Sequence, residues 1–333
     1  MGRQELESAR KGPWRTAMVR IFEIITVCAG FAVLPGCART ILIAEDAVVR
    51  PDRPHELAAY VDKQWLVVFT SGVPGREVQF LIDEKEVGRA RTNKQGRARI
   101  TLKPGVTGES FIARTHGDIR NLQERATLFG WDPNRTAIAV DVDETISLTN
   151  YLNVIWGDGL VSRPVKGSPE ALRSLAKNYQ LLYYSARPRF MIRRTHEWLE
   201  KYGFPPGPVV FPSDFTAALR QSSAKAELLA SLREKWPNLR IGIGDKHADV
   251  DACIANDMLP VIVNGARPKF RKNAIVVAGW ESVPKFFDMN RGSLNDDRRI
   301  ASFLANGNRS ASGDIIPPPE PAEPTRVVAA KTK

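Results

Sequence analysis

The chain contains little cysteine and few aromatic residues. Three of its 333 residues are cysteines, and 8% are aromatic. Cys28 and Cys37 lie in or beside an N-terminal apolar segment, so removal of that segment at Cys37 would leave Cys253 as the one free thiol. Such a mature chain has no intrachain disulfide and no cysteine metal cluster. No aromatic run accompanies the basic residues, which argues against a surface that stacks nucleic-acid bases.

The N-terminal apolar run is too short to span a membrane. It covers the 12 residues 24–35, whereas a spanning helix needs roughly 20. A short apolar core of this kind is typical of an export signal. Residues 34–37, Leu-Pro-Gly-Cys, resemble a bacterial lipobox, in which the cysteine carries lipid. We expect residues 1–37 to be a signal peptide and the protein to be exported and anchored to a membrane as a lipoprotein through Cys37.

Other outcomes stay open for this segment: a soluble periplasmic or secreted protein, or an uncleaved anchor or artefact. Met18, followed by Arg20, makes a more typical start than Met1. This predicts that residues 1–17 reflect a misassigned start codon.

Short apolar runs separated by turn-forming pieces occupy residues 55–131. Several strands at spacings of about 8–12 residues are typical of a small β-sandwich. The stretch VGRARTNKQGRARITL, 87–102, resembles one edge of Ig-like modules in bacterial surface proteins. We predict an Ig-like β-sandwich with a packing or spacer role. Residues 38–54, with Pro51 and Pro54, are interpreted as a short tether in front of it.

Continuous apolar strands alternate with helical segments from residue 136 onwards. TAIAV, QLLYY and RIGIG are apolar runs, and segments such as PEALRSLAKN and AKAELLASLREKW lie between them. Buried strands that alternate with helices imply a parallel sheet covered by helices on both faces. We predict an α/β domain over 132–304. Residues 305–333 are rich in proline, alanine and lysine and are predicted to be a disordered tail.

Acidic residues follow two of these strands, and ligands of parallel sheets bind beyond the carboxyl ends of the strands. TAIAV runs into D-V-D-E-T, with Asp141 and Asp143 two residues apart, and RIGIG runs into Asp245, with Asp249 four residues on. One carboxylate of the first pair can attack phosphorus while the other handles protons. Carboxylates also bind hard cations. Asp245 is predicted to bind a cation directly and Asp249 to orient its water or hold the site together, with Asp251 as a less favoured substitute.

Three basic or hydroxyl residues complete the candidate site. Ser185, which follows QLLYY, can donate its hydroxyl to a phosphate oxygen or cap a helix. Lys225 can neutralise charge on a transferring phosphoryl group or lie on the surface. Arg187 is nearest to the phosphate site and is the candidate for a substrate contact, and His196 is interpreted as a packing residue. The next arginines fit solvated helix charges: Arg189, Arg193 and Arg194.

The order D-x-D-x-T, Ser, Lys, G-D-x-x-x-D resembles the signature of the haloacid-dehalogenase superfamily over residues 136–278. The resemblance implies a Rossmann-like parallel sheet and a phosphohydrolase. It implies that Asp141 forms an aspartyl-phosphate, while Asp143 protonates the leaving alkoxide and then deprotonates water. It also implies that Ser185 and Lys225 hold phosphoryl oxygens.

The same resemblance implies Mg²⁺ as the cofactor and adds Thr145 to the catalytic residues. The ion would bridge Asp141, the main-chain carbonyl of Asp143, Asp245 and, through water, Asp249. Ser185 follows Asp141 by only 44 positions, and Asp245 follows Ser185 by 60. The helices of the sheet use most of that length, so we expect no large cap over the site and a substrate that is large or lies in a membrane surface.

Longer blocks narrow the resemblance. DVDETIS, LLYYSARPRFMIRRTHEWLEKYGFPPGPVVF and IGIGDKHADVDA are similar to the catalytic region of lipin-type and actin-patch-type phosphatidate phosphatases, which have an Ig-like module beside the catalytic domain. Lipins carry Gly where this chain has Glu144. Their amphipathic N-terminal helix has no counterpart here, and a lipidated Cys37 could replace it. The resemblance implies a membrane lipid phosphate as substrate.

The basic composition leaves several partners open. The net charge is +11, from 48 Lys+Arg and 37 Asp+Glu, and favours anionic partners or a solvated basic surface. We expect a phosphorylated substrate and a membrane surface as partners, with nucleic acid less favoured. The alternatives are a phosphatase of soluble phosphomonoesters or polynucleotide ends, and a non-catalytic binding module on the same fold. The sequence gives no indication of the oligomeric state.

Overall fold

The computed structural model describes residues 38–50, 52–65, 69–115, 121–148, 162–212, 221–263, 273–306 and 315. The predicted signal peptide, including Cys37, lies outside these residues and stays a prediction. Most of the predicted tail lies outside them as well. None of the helices in the described residues has the length and apolarity that crossing a membrane requires.

The N-terminal part is a β-sandwich. Its strands are β1 (Arg39–Ala44), β2 (Ala47–Val49), β3 (His55–Trp65), β4 (Phe69–Gly72), β5 (Glu77–Ile82), β6 (Lys85–Arg91), β7 (Arg97–Leu102), β8 (Ser110–Thr115) and β9 (Gln123–Gly130). In one sheet β3 pairs with β1, β4 and β7, and the other sheet has the order β2-β9-β8-β5-β6. The pairs are antiparallel except for β2–β9, which is parallel.

Alternating sequences in the sandwich strands place their apolar side chains between the two sheets. In β8 the buried and less buried residues alternate along the whole strand, with Phe111 and Ala113 fully buried. Phe111 meets Phe80 of β5 with ring centroids 6.0 Å apart, and Leu57 of the opposite sheet joins the same core.

The interpretation of residues 38–54 as a tether is wrong. Most of this range is paired: β1 runs along β3, and β2 runs along β9. The sandwich therefore begins at Arg39 rather than at residue 55. Prolines at 51 and 54 suggested a linker, but β1 precedes them and is an apolar strand, RTILIA, with four consecutive buried residues.

The second part contains a six-stranded parallel sheet of order β12-β11-β10-β13-β14-β15. Its strands are β10 (Ala137–Asp141), β11 (Gln180–Tyr184), β12 (Val209–Val210), β13 (Leu239–Gly244), β14 (Leu259–Val263) and β15 (Ile275–Val277). The helices are α1 (Ser168–Ala176), α2 (Ile192–Lys201), α3 (Gln221–Lys235), α4 (His247–Ile254), α5 (Val283–Met289), α6 (Arg291–Leu294) and α7 (Asp297–Asn306). Short 3-10 turns precede α2 and α5, at Arg189–Met191 and Trp280–Ser282.

Both faces of this sheet are buried, as the continuous apolar strands predicted. Ile138 and Val140 of β10 face a core shared with α1, α2, α5, α6 and α7. Ala137 and Ala139 face the opposite core, shared with α3 and α4. The helical layer extends to Asn306, and Ile315 packs in the first core, so the predicted tail is wrong at these positions. The described residues between β10 and β13 contain no separate cap domain.

The sandwich shares both of these cores. Ile41, Ile43 and Tyr60 belong to the core on the α2 side of the sheet. Val48 and Trp131 belong to the core on the α3 side, where Trp131 meets Trp236 with ring centroids 5.2 Å apart. Of the two predicted roles, packing and spacing, these shared cores fit packing.

Gly242 in the middle of β13 provides a test of packing beneath the sheet. A Cβ at this position would lie 2.2 Å from Sγ of Cys253 on α4. We expect Gly242→Ala to lower the free energy of unfolding by about 1–3 kcal/mol because the core must shift. Denaturant unfolding measures the loss. Gly130→Ala is the matched control, because a Cβ there meets no atom within 4 Å.

A second substitution tells whether the sulfur is responsible. In the double variant with Cys253→Ala, the nearest remaining atom of that residue is its Cβ, at 3.8 Å. The double variant should therefore lose less stability than the sum of the single variants. Additive losses would contradict a clash with the sulfur.

Candidate active site

Asp141 is the last residue of β10 and lies at the carboxyl edge of the sheet, almost fully buried. Its Oδ1 lies 2.9 Å from Nζ of Lys225, and its Oδ2 accepts a hydrogen bond of 3.1 Å from Oγ1 of Thr145. Lys225, on α3, is buried and also donates to Oδ1 of Asp249 at 2.6 Å. One ammonium therefore bridges two carboxylates, and the alternative of a surface lysine is wrong.

The chain turns sharply after β10. Glu144 has a φ of 64°, in the left-handed region that non-glycine residues rarely adopt. This is the position where lipins carry glycine. The Glu144 carboxylate forms an ion pair of 2.5 Å with Lys246. The turn leaves Asp143 and Thr145 on opposite sides of the site.

Asp143 faces a guanidinium fork. Arg187 donates from Nη2 to Oδ1 at 2.9 Å and from Nε to Oδ2 at 3.0 Å. Ser185 donates to Oδ2 at 2.6 Å. The remaining Nη1 of Arg187 donates to Oγ1 of Thr195 on α2 at 3.0 Å. Arg187 and Ser185 were both expected on the phosphate, but in the structure they hold the second carboxylate of the D-x-D pair.

Asp245 and Asp249 lie beside Asp141, where β13 leads into α4. Oγ1 of Thr145 lies 2.9 Å from Oδ1 of Asp245 and 3.1 Å from Oδ2 of Asp141, so its one hydroxyl hydrogen is shared between the two carboxylates. Oδ2 of Asp249 accepts the main-chain N–H groups of Asp245 at 3.2 Å and Lys246 at 3.0 Å. Gly244 makes this approach feasible, because a Cβ there would lie 2.5 Å from the Asp249 side chain.

Burial and like charge shift the acidity of the site. Burial raises the pKa of Asp141 to about 7; Lys225 opposes the shift, and the Asp249 and Asp143 carboxylates add to it. Burial also raises the pKa of Asp245, against the opposing Lys246 ammonium. Burial acts to lower the pKa of Lys225, but Asp141 and Asp249 raise it above its ordinary value. The site therefore holds excess negative charge that a cation would relieve.

Three carboxylates fit a hard divalent cation. One oxygen from each of Asp141, Asp245 and Asp249 lies within 4.8 Å of the other two. Oδ1 of Asp141 is buried and accepts no hydrogen bond from the described residues, although the Lys225 ammonium is close. Oxygen ligands of this kind are preferred by Mg²⁺. The Asp143 side chain stands apart in its fork, so its part in a metal site is limited to the predicted main-chain carbonyl.

The structure brings all predicted site residues of the described chain to one edge of the sheet. These are Asp141, Asp143, Thr145, Ser185, Arg187, Lys225, Asp245 and Asp249. Asp251 is exposed on α4 and does not replace Asp249.

Sequence reasoning missed two residues that support the site. Thr195 holds Arg187, and Trp280 donates from Nε1 to the main-chain oxygen of Thr145 at 3.1 Å. Neither has a motif of its own. Thr195 is one buried position of an amphipathic helix, and only the tertiary structure shows its partner.

Comparison with known families points to the same part of the chain. The model of a family described as "PITM 1-3, LNS2 domain" matches residues 126–260. This range contains β10 to β13 and all of the site residues in the described chain. The matched range is less than half of the chain, and it supports the resemblance of this range to lipin-type phosphatase domains. The chain matches no curated protein sequence.

Several solved structures are similar to a portion of the chain. A haloacid dehalogenase-like family hydrolase from Xanthomonas campestris is 12% identical, over 48% of this chain and 97% of its own, with a TM-score of 0.33. The cobalt-bound deoxy-D-mannose-octulosonate 8-phosphate phosphatase from Haemophilus influenzae is 16% identical, over 49% and 92%, with a TM-score of 0.33. The M4 domain of titin is 16% identical, over 28% and 97%, with a TM-score of 0.21.

Metal binding predicts a rise in thermal stability. A ligand that binds only the folded state stabilises it, by about 2.7 kcal/mol at 100 times its Kd. We expect Mg²⁺ to raise the Tm of the full chain, and Asp245→Asn to abolish most of that rise. Asp251→Asn, the same change at an exposed position of α4, should leave it intact. An equal Mg²⁺ response in the Asp245 variant would contradict a site at this edge.

The same titration should depend on pH. The pKa of Asp141 is raised to about 7, so below pH 7 a proton occupies the carboxylate that the cation needs. Mg²⁺ affinity should therefore fall as the pH falls, approaching tenfold per pH unit between about pH 7 and 5, because binding must displace one proton. Mg²⁺ titrations followed by Tm at pH 6 and pH 8 measure the effect. A pH-independent affinity would argue that Asp141 is not a ligand.

Proposed function

We propose that the protein is a Mg²⁺-dependent phosphomonoester hydrolase that acts through an aspartyl-phosphate on Asp141. The observation that carries this proposal is the divergence of the two D-x-D carboxylates. Asp141 lies against the Lys225 ammonium and the two metal-site aspartates, whereas Asp143 is held apart by Ser185 and Arg187. One position suits attack on phosphorus and the other suits proton transfer.

The first step transfers the phosphoryl group to the protein. A carboxylate oxygen of Asp141 attacks phosphorus, and the bond from phosphorus to the ester oxygen breaks. Asp143, in its protonated form, gives its proton to the departing oxygen, which leaves as an alcohol. Lys225 lies at hydrogen-bond distance from Asp141 and is placed to neutralise the phosphoryl oxygens. A Mg²⁺ ion bound by Asp141, Asp245 and Asp249 would supply further positive charge to those oxygens.

The second step restores the resting state. The Asp143 carboxylate removes a proton from water, and the water oxygen attacks phosphorus while the bond to Asp141 breaks. Inorganic phosphate leaves, and Asp143 is protonated again for the next cycle. Arg187 serves this step by fixing the carboxylate through two donors, and Ser185 adds a third hydrogen bond to the same carboxylate.

We propose phosphatidate or a related membrane lipid phosphate as the substrate. The resemblance to lipin-type blocks, the LNS2 family match, the lack of a cap in the described residues and the net charge of +11 support this assignment. Export and anchoring through a lipidated Cys37 would place the site beside such a lipid. A phosphatase of soluble phosphomonoesters or polynucleotide ends has the same chemistry, and a non-catalytic binding module would keep the fold alone.

A substrate panel with Asp141→Asn tests the proposal. The wild type should hydrolyse phosphatidate vesicles faster than glycerol phosphate, nucleotides or 5′-phosphorylated oligonucleotides. Salt should slow the vesicle reaction, because surface charges are screened beyond about 10 Å at 0.1 M. Asp141→Asn should lower phosphate release on every substrate to background, and Asp251→Asn should leave it unchanged.

The outcomes separate the candidate functions. Turnover by Asp141→Asn near the wild-type rate would contradict the nucleophile. Equal, salt-independent rates on vesicles and soluble esters would leave a phosphatase without lipid preference. Vesicle binding without phosphate release, in the presence of Mg²⁺, would favour the binding module.

A further inference from the structure

The segment from Arg187 to His196 faces the active site at two residues and the sandwich at two others. Arg187 and Thr195 are bonded to each other, and Arg187 also holds Asp143. Arg189, two residues after Arg187, meets Asp62 of β3, and His196, next to Thr195, meets Asp46. Each contact with the sandwich therefore lies beside one end of the Arg187–Thr195 hydrogen bond.

The Asp62–Arg189 contact is a buried ion pair. Asp62 is fully buried, and its Oδ2 lies 3.2 Å from Nε of Arg189. The Arg189 guanidinium also stacks over the ring of Tyr60, 3.9 Å from its centroid. The Asp62 carboxylate accepts no hydrogen bond from the described residues, so the Arg189 guanidinium is the group that compensates its charge. Loss of either partner would leave an uncompensated buried charge. The interpretation of Arg189 as a solvated helix charge is therefore wrong, whereas Arg193 and Arg194 are exposed.

Asp46 provides a second contact between the sandwich and the catalytic part. Oδ2 of Asp46 lies 2.7 Å from Nε2 of His196 and accepts the main-chain N–H of Val209, in β12, at 2.9 Å. Oδ1 accepts the main-chain N–H of Thr127 in β9 at 3.1 Å. One carboxylate thus connects the sandwich to α2 and to the edge strand of the parallel sheet. The interpretation of His196 as a simple packing residue misses this contact.

We infer that the β-sandwich positions the general acid of the catalytic part. In this inference Asp62 and Asp46 are positioning residues: they fix the 3-10 turn and α2, which fix Arg187 and Thr195, which fix Asp143. The inference rests on the proposed function, because it assigns the proton transfer to Asp143. It assigns the sandwich a part in the reaction that a spacer does not have.

Misplacement of a general acid has a recognisable signature. An alkyl phosphate needs a proton on its leaving oxygen, whereas p-nitrophenolate leaves without one. The difference appears in kcat/KM, which covers the steps up to departure of the alcohol and excludes the later attack of water, where Asp143 serves both esters alike. A variant that displaces Asp143 should therefore lose kcat/KM for the alkyl ester and keep it for the aryl ester. General damage to the fold, by contrast, lowers both rates together.

The experiment compares kcat/KM for glycerol phosphate and p-nitrophenyl phosphate in the full chain with Mg²⁺. Asp62→Asn should lower kcat/KM for the alkyl ester about tenfold, since small displacements of a catalytic group cost up to ~100-fold, and change kcat/KM for the aryl ester less than about twofold. Arg187→Lys, which removes the fork itself, gives the size of the full effect. Glu56→Gln is the matched control, because Glu56 lies in the same strand and pairs with Arg97 at 2.7 Å inside the sandwich.

Each result decides the inference. Equal losses on both esters, or an unchanged ratio in a folded Asp62→Asn protein, would overturn it and leave the phosphatase proposal standing. A wild type that hydrolyses neither ester nor phosphatidate would overturn both. If Asp62→Asn does not fold, Arg189→Lys is measured in the same way. That variant keeps the charge but loses the planar group over Tyr60, and an unchanged ester ratio in it overturns the inference.

Discussion

The structure depends on the neutralisation of four carboxylates that are buried at one edge of a parallel sheet. Asp141, Asp143, Asp245 and Asp249 are all nearly inaccessible to water, and buried ions are costly unless they are paired and hydrogen-bonded. The protein divides them into two groups. Lys225 and Thr145 serve the cluster around Asp141, and Arg187 and Ser185 serve Asp143. Burial raises the pKa of Asp141, and the Asp249 and Asp143 carboxylates add to the rise against Lys225. The cluster retains more negative than positive charge, and this excess prepares the site for a cation.

This charge arrangement constrains the strands that carry it. β10 and β13 are adjacent and parallel, so Asp141 and Asp245 leave the sheet at the same edge. The close approach of Asp249 requires glycine at 244, and the packing of α4 behind β13 requires glycine at 242. In the turn after β10, Glu144 has a left-handed backbone conformation, and its carboxylate forms an ion pair with Lys246. The glycines at 242 and 244 and the left-handed turn at Glu144 thus all follow from close packing at this one edge of the sheet.

The β-sandwich adds further paired carboxylates beyond the parallel sheet. It supplies two carboxylates, Asp46 and Asp62, to the segment that carries Arg187, and it contributes side chains to both cores of the parallel sheet. Its sequence contains no catalytic motif. Its contacts with the site are indirect. Asp62 and Asp46 meet Arg189 and His196, which lie close in sequence to Arg187 and Thr195, and Arg187 holds Asp143.

The sequence by itself determined the alternation of buried strands and helices, the β-sandwich and the identity of the paired aspartates. These follow from local patterns: a strand of period two, a continuous apolar run, and a motif at the end of a strand. The start of the sandwich at Arg39 was missed because prolines at 51 and 54 resemble a linker, while the pairing of β1 with β3 is a non-local contact. Only the tertiary structure decided that Arg187 holds Asp143 and that Arg189 and His196 face the sandwich. All three lie in one amphipathic stretch of ten residues. The amphipathic pattern indicates how deeply a side chain is buried, but it does not indicate which charged group that side chain contacts.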